Sequence, residues 1–189
     1  MKLFLTKDGK AGFAIKEDGD IVSVFNSKSS PHEFFAPYAL SLAVNKGGIK
    51  LDAYDSILPK IYSQAGFKIS SRNKWVDEYA PEGWDKETFR EYNGGEPDVV
   101  YMHYNPEGVK LKDVLSKGPE VYDPKNRTRN SQLKKDYDGA VEEQNNWIND
   151  PSGEFIKARK EQEKADALGG IPLSFLGNGQ QSRYGGLLA

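Results

Sequence analysis

The stretch from Ile49 to Phe67, IKLDAYDSILPKIYSQAGF, constrains the fold more than any other part of the chain. Leu51, Ala53 and their neighbours form a short apolar-leaning run after Gly47-Gly48, long enough for a strand and too short for an independent helix. Asp55 or Ser56 is placed to cap a following helix, since a side-chain oxygen there can accept a bond from a first-turn N–H that lacks a partner inside the helix. Pro59 falls early enough that its missing N–H costs little. Ile57, Leu58, Ile61, Tyr62 and Ala65 share one helical face, and Gly66 is a natural left-handed stop before Phe67, Ile69 and a strand-like tract reaching Val76. The stretch predicts strand, helix, strand.

Upstream, Asp20 to Phe25 reads as a strand preceded by Gly19, and Glu33 to Lys46 carries Phe35, Tyr38, Ala39, Leu42 and Ala43 at helical spacing. Pro37 restricts where that helix can begin. From Phe13 to Ile69 the order is strand, turn, strand, helix, strand, helix, strand. Such alternation favours an α/β (α+β) fold, a mixed sheet with helices packed on its faces.

In this order of elements, and in the segment LPKIYSQAGF with Tyr62, Gly66 and Phe67 spaced as Tyr-x-x-x-Gly-Phe, residues 1–105 resemble the GCN5-related N-acetyltransferases, the GNAT fold. The resemblance implies a GNAT-like mixed β-sheet with flanking helices. It implies Tyr62 as the general acid that returns a proton to the departing CoA thiolate, a task for a phenol of pKa ~10. The alternative for Tyr62 is a plain place on the amphipathic face of its helix. The resemblance also implies that the loop Asn26 to His32, NSKSSPH, would rest the pyrophosphate of acetyl-CoA on backbone N–H groups at a helix N-terminus. Ser27, Lys28, Ser29 and Ser30 are the cofactor-binding candidates there. The family's loop reads Arg or Gln, two residues, Gly, one residue, then Gly or Ala, whereas this loop has neither glycine nor arginine and Pro31 removes a donor. The family's asparagine between strand and helix is also missing, with Asp55 nearest. No cofactor is therefore expected, with acetyl-CoA as the alternative.

A general base cannot be assigned. Asp77, Glu78, Glu82, Asp85 and Glu87 crowd one aromatic-rich segment, and a solvated loop with Trp75, Tyr79, Trp84 and Phe89 closing over the core explains them better than a cleft does. The absence of cysteine excludes disulfides, thiolate zinc sites and a cysteine nucleophile. The two histidines, His32 in the loop and His103 in the strand-like run Val99 to Tyr104, have no metal-ligand spacing, so no metal is expected. A formal net charge of −2 argues against a nucleic-acid binder with a dominant basic field. No apolar span is long enough for a membrane, and the apolar run in MKLFLTKDGK is too short for a secretory signal, so a soluble chain made in a cytoplasm is expected.

Beyond Asn105 the composition shifts. Residues 106–168 read as a polar linker and helical extension, turn-rich to about Asn130, then helical over Leu133 to Trp147 and Phe155 to Leu168. Helices with such thin apolar faces seldom stand alone and are expected to dock on the first domain or on a partner. Residues 169–189 read as an extended glycine-rich arm, with Ile171, Leu173, Phe175, Leu176, Tyr184, Leu187 and Leu188 as partner-binding anchors between polar residues. A degenerate acetyltransferase-like domain with assembly segments resembles the small GNAT-like proteins carried in particles of short-tailed bacteriophages. That likeness implies a structural or adaptor role toward portal, tail or internal core proteins, with synthesis in the host cytoplasm and incorporation into the virion. The competing expectation is an acetyl-CoA-dependent N-acetyltransferase.

Overall fold

The computed structural model describes residues 1–106 and 131–150, together with 153, 154 and 157. They form a mixed α+β fold. Strands β1 (Lys2–Leu5), β2 (Ala11–Ile15) and β3 (Ile21–Asn26) make an antiparallel three-stranded sheet in that order. Helix α1 (Phe35–Asn45) leads to β4 (Lys50–Tyr54), α2 (Leu58–Ser63), β5 (Phe67–Asn73), β6 (Val99–Tyr104), β7 (Leu133–Lys134) and α3 (Tyr137–Ile148). The second sheet runs β4-β6-β5-β7, with β6 antiparallel to β4 and β5, and β7 parallel to β5.

Elements β2 to β5 follow the order read from the sequence. Strand β1 is an addition: KLFL is too short to stand alone and becomes a strand by pairing with β2, Lys2 opposite Ile15 and Leu5 opposite Gly12. The two sheets meet at a single parallel bridge between Asp20 and Lys50, reinforced by Ile49 N–H donating to Gly19 O at 2.9 Å.

Helices α1 and α2 cover one side. Phe35, Ala39, Leu40 and Ala43 recur on one face of α1 and bury against Phe13, Ile15 and Ile21 of the first sheet and Leu51, Phe67, Val100 and Met102 of the second. Gly66 ends the α2 unit with φ +93°, as its sequence position predicts. A Cβ there would meet a ring carbon of Tyr104 at 3.0 Å and Pro106 Cα at 3.3 Å. Gly66→Ala is expected to lower unfolding free energy by about 1–2 kcal/mol, read from the urea midpoint, because the left-handed backbone disfavours any Cβ.

Helix α3 lies on the other side of the second sheet, attached by hydrogen bonds more than by oil. Gln144 Nε2 donates to Leu51 O at 3.0 Å and Met102 O at 2.8 Å, and Ser71 Oγ donates to Ala140 O at 2.6 Å. Trp147 stacks on His103 with ring centroids 5.0 Å apart. From the sequence the apolar face of this helix is Leu133, Tyr137, Val141 and Trp147, and of these only Trp147 is a buried helix position. Leu133 belongs to β7, Tyr137 is 63 % exposed, and the buried positions are Ala140, Glu143, Gln144 and Trp147. Asp136 caps the helix through a bond from Gly139 N–H at 3.0 Å.

Two further expectations change. Of the two cap candidates Asp55 is instead buried against Arg72, while Ser56 Oγ accepts from the N–H of Leu58, the first residue of α2, at 3.4 Å. Tyr79 does not close over the core and is 76 % exposed, while Trp75 and Trp84 pack on Tyr54 and Phe89 stacks on Trp84 with ring centroids 4.2 Å apart. The helix read over Phe155 to Leu168 and the arm with Ile171, Leu173, Phe175, Leu176, Tyr184, Leu187 and Leu188 lie outside the described residues.

Candidate functional site

Two features meet where the sheets fork. Past the Asp20–Lys50 bridge, β3 and β4 share no further ladder, so the facing edges of two parallel strands are left open to other partners. Asp52 sits two residues beyond the bridge on β4, opposite Tyr101 of β6. Its side chain keeps contact with solvent, yet the protein crowding its carboxyl, and then the negative Asp20, push its pKa up. No spacing pattern marked Asp52. Its place depends on strand pairing that only the folded chain makes.

Tyr62 belongs to the hydrophobic core. Its side chain is 7 % exposed among Leu51, Phe67 and their neighbours, and its hydroxyl makes no hydrogen bond among the described residues. Burial, followed by the charge of Asp52, pushes the phenol up to about 12. A phenol that far above its ordinary value gives up its proton reluctantly, so its environment works against the acid role implied by the resemblance. Tyr62→Phe is expected to change stability by less than about 0.5 kcal/mol, because a hydroxyl without a partner adds little; thermal unfolding of the two proteins checks this.

The loop candidates lie elsewhere. Ser27, Lys28 and Ser29 are exposed and Ser30 is half-buried. The loop is tied to the β1–β2 turn: Ser27 N–H donates to Lys10 O at 2.9 Å and Lys10 Nζ to Ser29 O at 3.0 Å. Ser30 Oγ accepts from His32 N–H at 3.1 Å, and Asn26 Nδ2 donates to His32 O at 2.8 Å. The seryl hydroxyls thus shape the loop internally. No hydrogen bond or ring contact joins Ser27, Lys28, Ser29 or Ser30 to Tyr62. Helix α1 begins after Phe34, whose backbone is left-handed at φ 52° with the ring 80 % exposed, and no side chain caps its first turn.

The outer face of the first sheet was not legible from sequence. Leu3 and Leu5 of β1 and Phe25 of β3 project away from α1 and are 69 %, 61 % and 42 % exposed. Leu5 and Phe25 close over Gly12, where a Cβ would meet them at 2.6 and 3.0 Å. A register shift between Gly12 and Ala14, with Ser23 at φ 54°, keeps both Val22 and Phe25 on this side. The signal was present only as a KLFL run, whose alternation is too short to assign a face.

Among the described residues no cluster of three or more His, Asp or Glu could hold a metal ion, and no helix is long and apolar enough to cross a membrane. No family model, curated protein or solved structure matches the chain.

Proposed function

We propose that this chain is a structural or adaptor component of a larger protein assembly, carrying an acetyltransferase-like core whose surface, rather than its chemistry, is used. The observation that carries this reading is the uncovered apolar outer face of the β1-β2-β3 sheet, with Leu3, Leu5 and Phe25 exposed together beside an open β1 edge. Clustered apolar exposure next to unpaired strand groups is costly in a free molecule and useful in a bound one. The burial of Tyr62 and the glycine-free loop weigh the same way. The resemblance to GNAT-like proteins of short-tailed phage particles supports portal, tail or internal core proteins as the partner class, with the chain made in the host cytoplasm and carried into the virion. The test is co-sedimentation of the full chain with purified proteins of those three kinds. Association with one is expected, and is expected to be lost on deleting 169–189 or on changing Leu3, Leu5 and Phe25 together to Ser. Association with none, or binding indifferent to both changes, would reject the reading.

One observation favours an acetyl-CoA-dependent N-acetyltransferase instead. The open edges of β3 and β4 beyond the Asp20–Lys50 bridge offer backbone donors and acceptors to an amide-bearing chain such as the pantetheine arm of acetyl-CoA. Calorimetric titration of acetyl-CoA and CoA, with Tyr62→Phe alongside, separates the two readings. Micromolar binding with Tyr62-dependent turnover would put the enzyme first; no heat at millimolar cofactor would remove it.

A further inference from the structure

A cavity of about 500 Å³ opens between the β1–β2 turn and the start of α1, lined by Thr6, Lys7, Asp8, His32, Glu33, Phe35 and Tyr38. Its volume lies within the range of about 300–1,000 Å³ usual for small-molecule sites. Phe35 roots its ring in the core, so one wall is fixed, while Tyr38, one helical turn later, is 72 % exposed and forms the other.

The polar lining divides into a satisfied part and an unsatisfied part. Asp8 accepts from Thr6 Oγ1 at 2.5 Å and from Lys10 N–H at 3.1 Å, and pairs with His32 Nε2 at 3.1 Å. Those donors, led by the Thr6 hydroxyl, hold its carboxyl down at about 2. Asp8 is therefore engaged by three donors and acts as a brace for the imidazole. Lys7 and Glu33 are different. Among the described residues neither makes an ion pair, although they carry opposite charges and line the same cavity. A ligand with one charge would meet an attractive group and a repulsive one. A ligand that carries both charges and an apolar body would complement Lys7, Glu33 and the two rings together.

We propose that this cavity binds a free α-amino acid with an apolar or aromatic side chain, its carboxylate toward Lys7 and His32, its ammonium toward Glu33, and its side chain between Phe35 and Tyr38. This goes beyond the assembly reading, since it uses neither the outer sheet face nor the arm. A ligand of phenylalanine's size is expected to bind with a dissociation constant of about 2 mM.

The test is an amide chemical-shift titration of the full chain with three probes: L-phenylalanine, phenylacetate, which keeps only the anion, and phenethylamine, which keeps only the cation. Saturable shifts centred on Lys7, His32, Glu33 and Tyr38 are expected, with phenylalanine roughly tenfold tighter than either half-ligand. Lys7→Ala is expected to abolish the advantage of phenylalanine over phenethylamine, and Glu33→Ala its advantage over phenylacetate. Both positions are exposed, so folding of the variants is not at stake. Three probes of equal strength would mean unspecific contact with the rings and would overturn the proposal, as would the absence of saturable shifts with phenylalanine at 10 times the expected constant, or affinities that ignore both substitutions.

Discussion

Replacing Arg72 with Met is expected to destabilise the fold by about 3–5 kcal/mol. Arg72 on β5 is 2 % exposed and its guanidinium lies against Asp55, with Asp98 Oδ2 at 3.7 Å. Both carboxylates are 1 % exposed, and the other side of the fork donates to Gln132 Oε1 at 3.0 and 3.2 Å. Removing the cation leaves two carboxylates in a low-dielectric interior without the charge that made their burial tolerable, and strands the Gln132 oxygen as well. Against a typical total of about 5–15 kcal/mol, such a loss brings the protein near its folding threshold. Arg72→Lys should recover only part, since a single ammonium cannot serve Asp55 and Gln132 with the geometry of the guanidinium fork. Urea unfolding of the three proteins checks this. A loss below about 1 kcal/mol for Arg72→Met would show that the network is energetically neutral.

Acidification from pH 6.5 to 4 is expected to remove up to about 3 kcal/mol of stability through His103. The imidazole is 4 % exposed, pairs through Nδ1 with Ser70 Oγ at 2.8 Å and stacks on Trp147, while Nε2 is buried with no hydrogen-bond partner among the described residues. Burial, and then the positive charge of Lys68, lower its pKa from 6.5 to about 4. In that interval the unfolded chain binds a proton that the folded chain refuses, so unfolding gains from each drop in pH. The contribution is complete above the unfolded value, is lost as pH falls toward the folded one, and ends there because both states are then protonated. Asp52 acts in the opposite sense, since its raised pKa lets the folded state take up a proton first. His103→Gln, which can still bond Ser70 but cannot titrate, should flatten the wild-type slope between pH 6.5 and 4. An unchanged slope in that variant would assign the acid sensitivity to other groups.

The fold was more legible than the site. The run of β2 to β5 with its two helices could be read because each signal is local: Gly19 before β3, the spacing of Phe35, Ala39 and Ala43, and Gly66 at its positive φ. Reading failed wherever a residue could serve two purposes and its distant partner decided between them. Asp55 has the chemistry of a helix cap, and Arg72, 17 positions away in sequence, takes it into the interior. Tyr62 fits a catalytic spacing and an amphipathic face alike, and the packing of α1 over α2 places it in the core. Leu133 fits the apolar face of a helix, yet it pairs with Arg72 as β7.

By itself, then, the sequence determined the alternation of strands and helices, the glycine stops and the lack of cysteine chemistry, because these depend on backbone freedom and on periods of a few residues. The tertiary structure alone decided which carboxylates are buried, which face of the first sheet is left bare, and that α3 seats on the second sheet through Gln144. It also decided that Lys7 and Glu33 share a cavity. Those outcomes depend on contacts between residues tens of positions apart, and the energy of a charge or an apolar side chain is set by what surrounds it rather than by its neighbours in the chain.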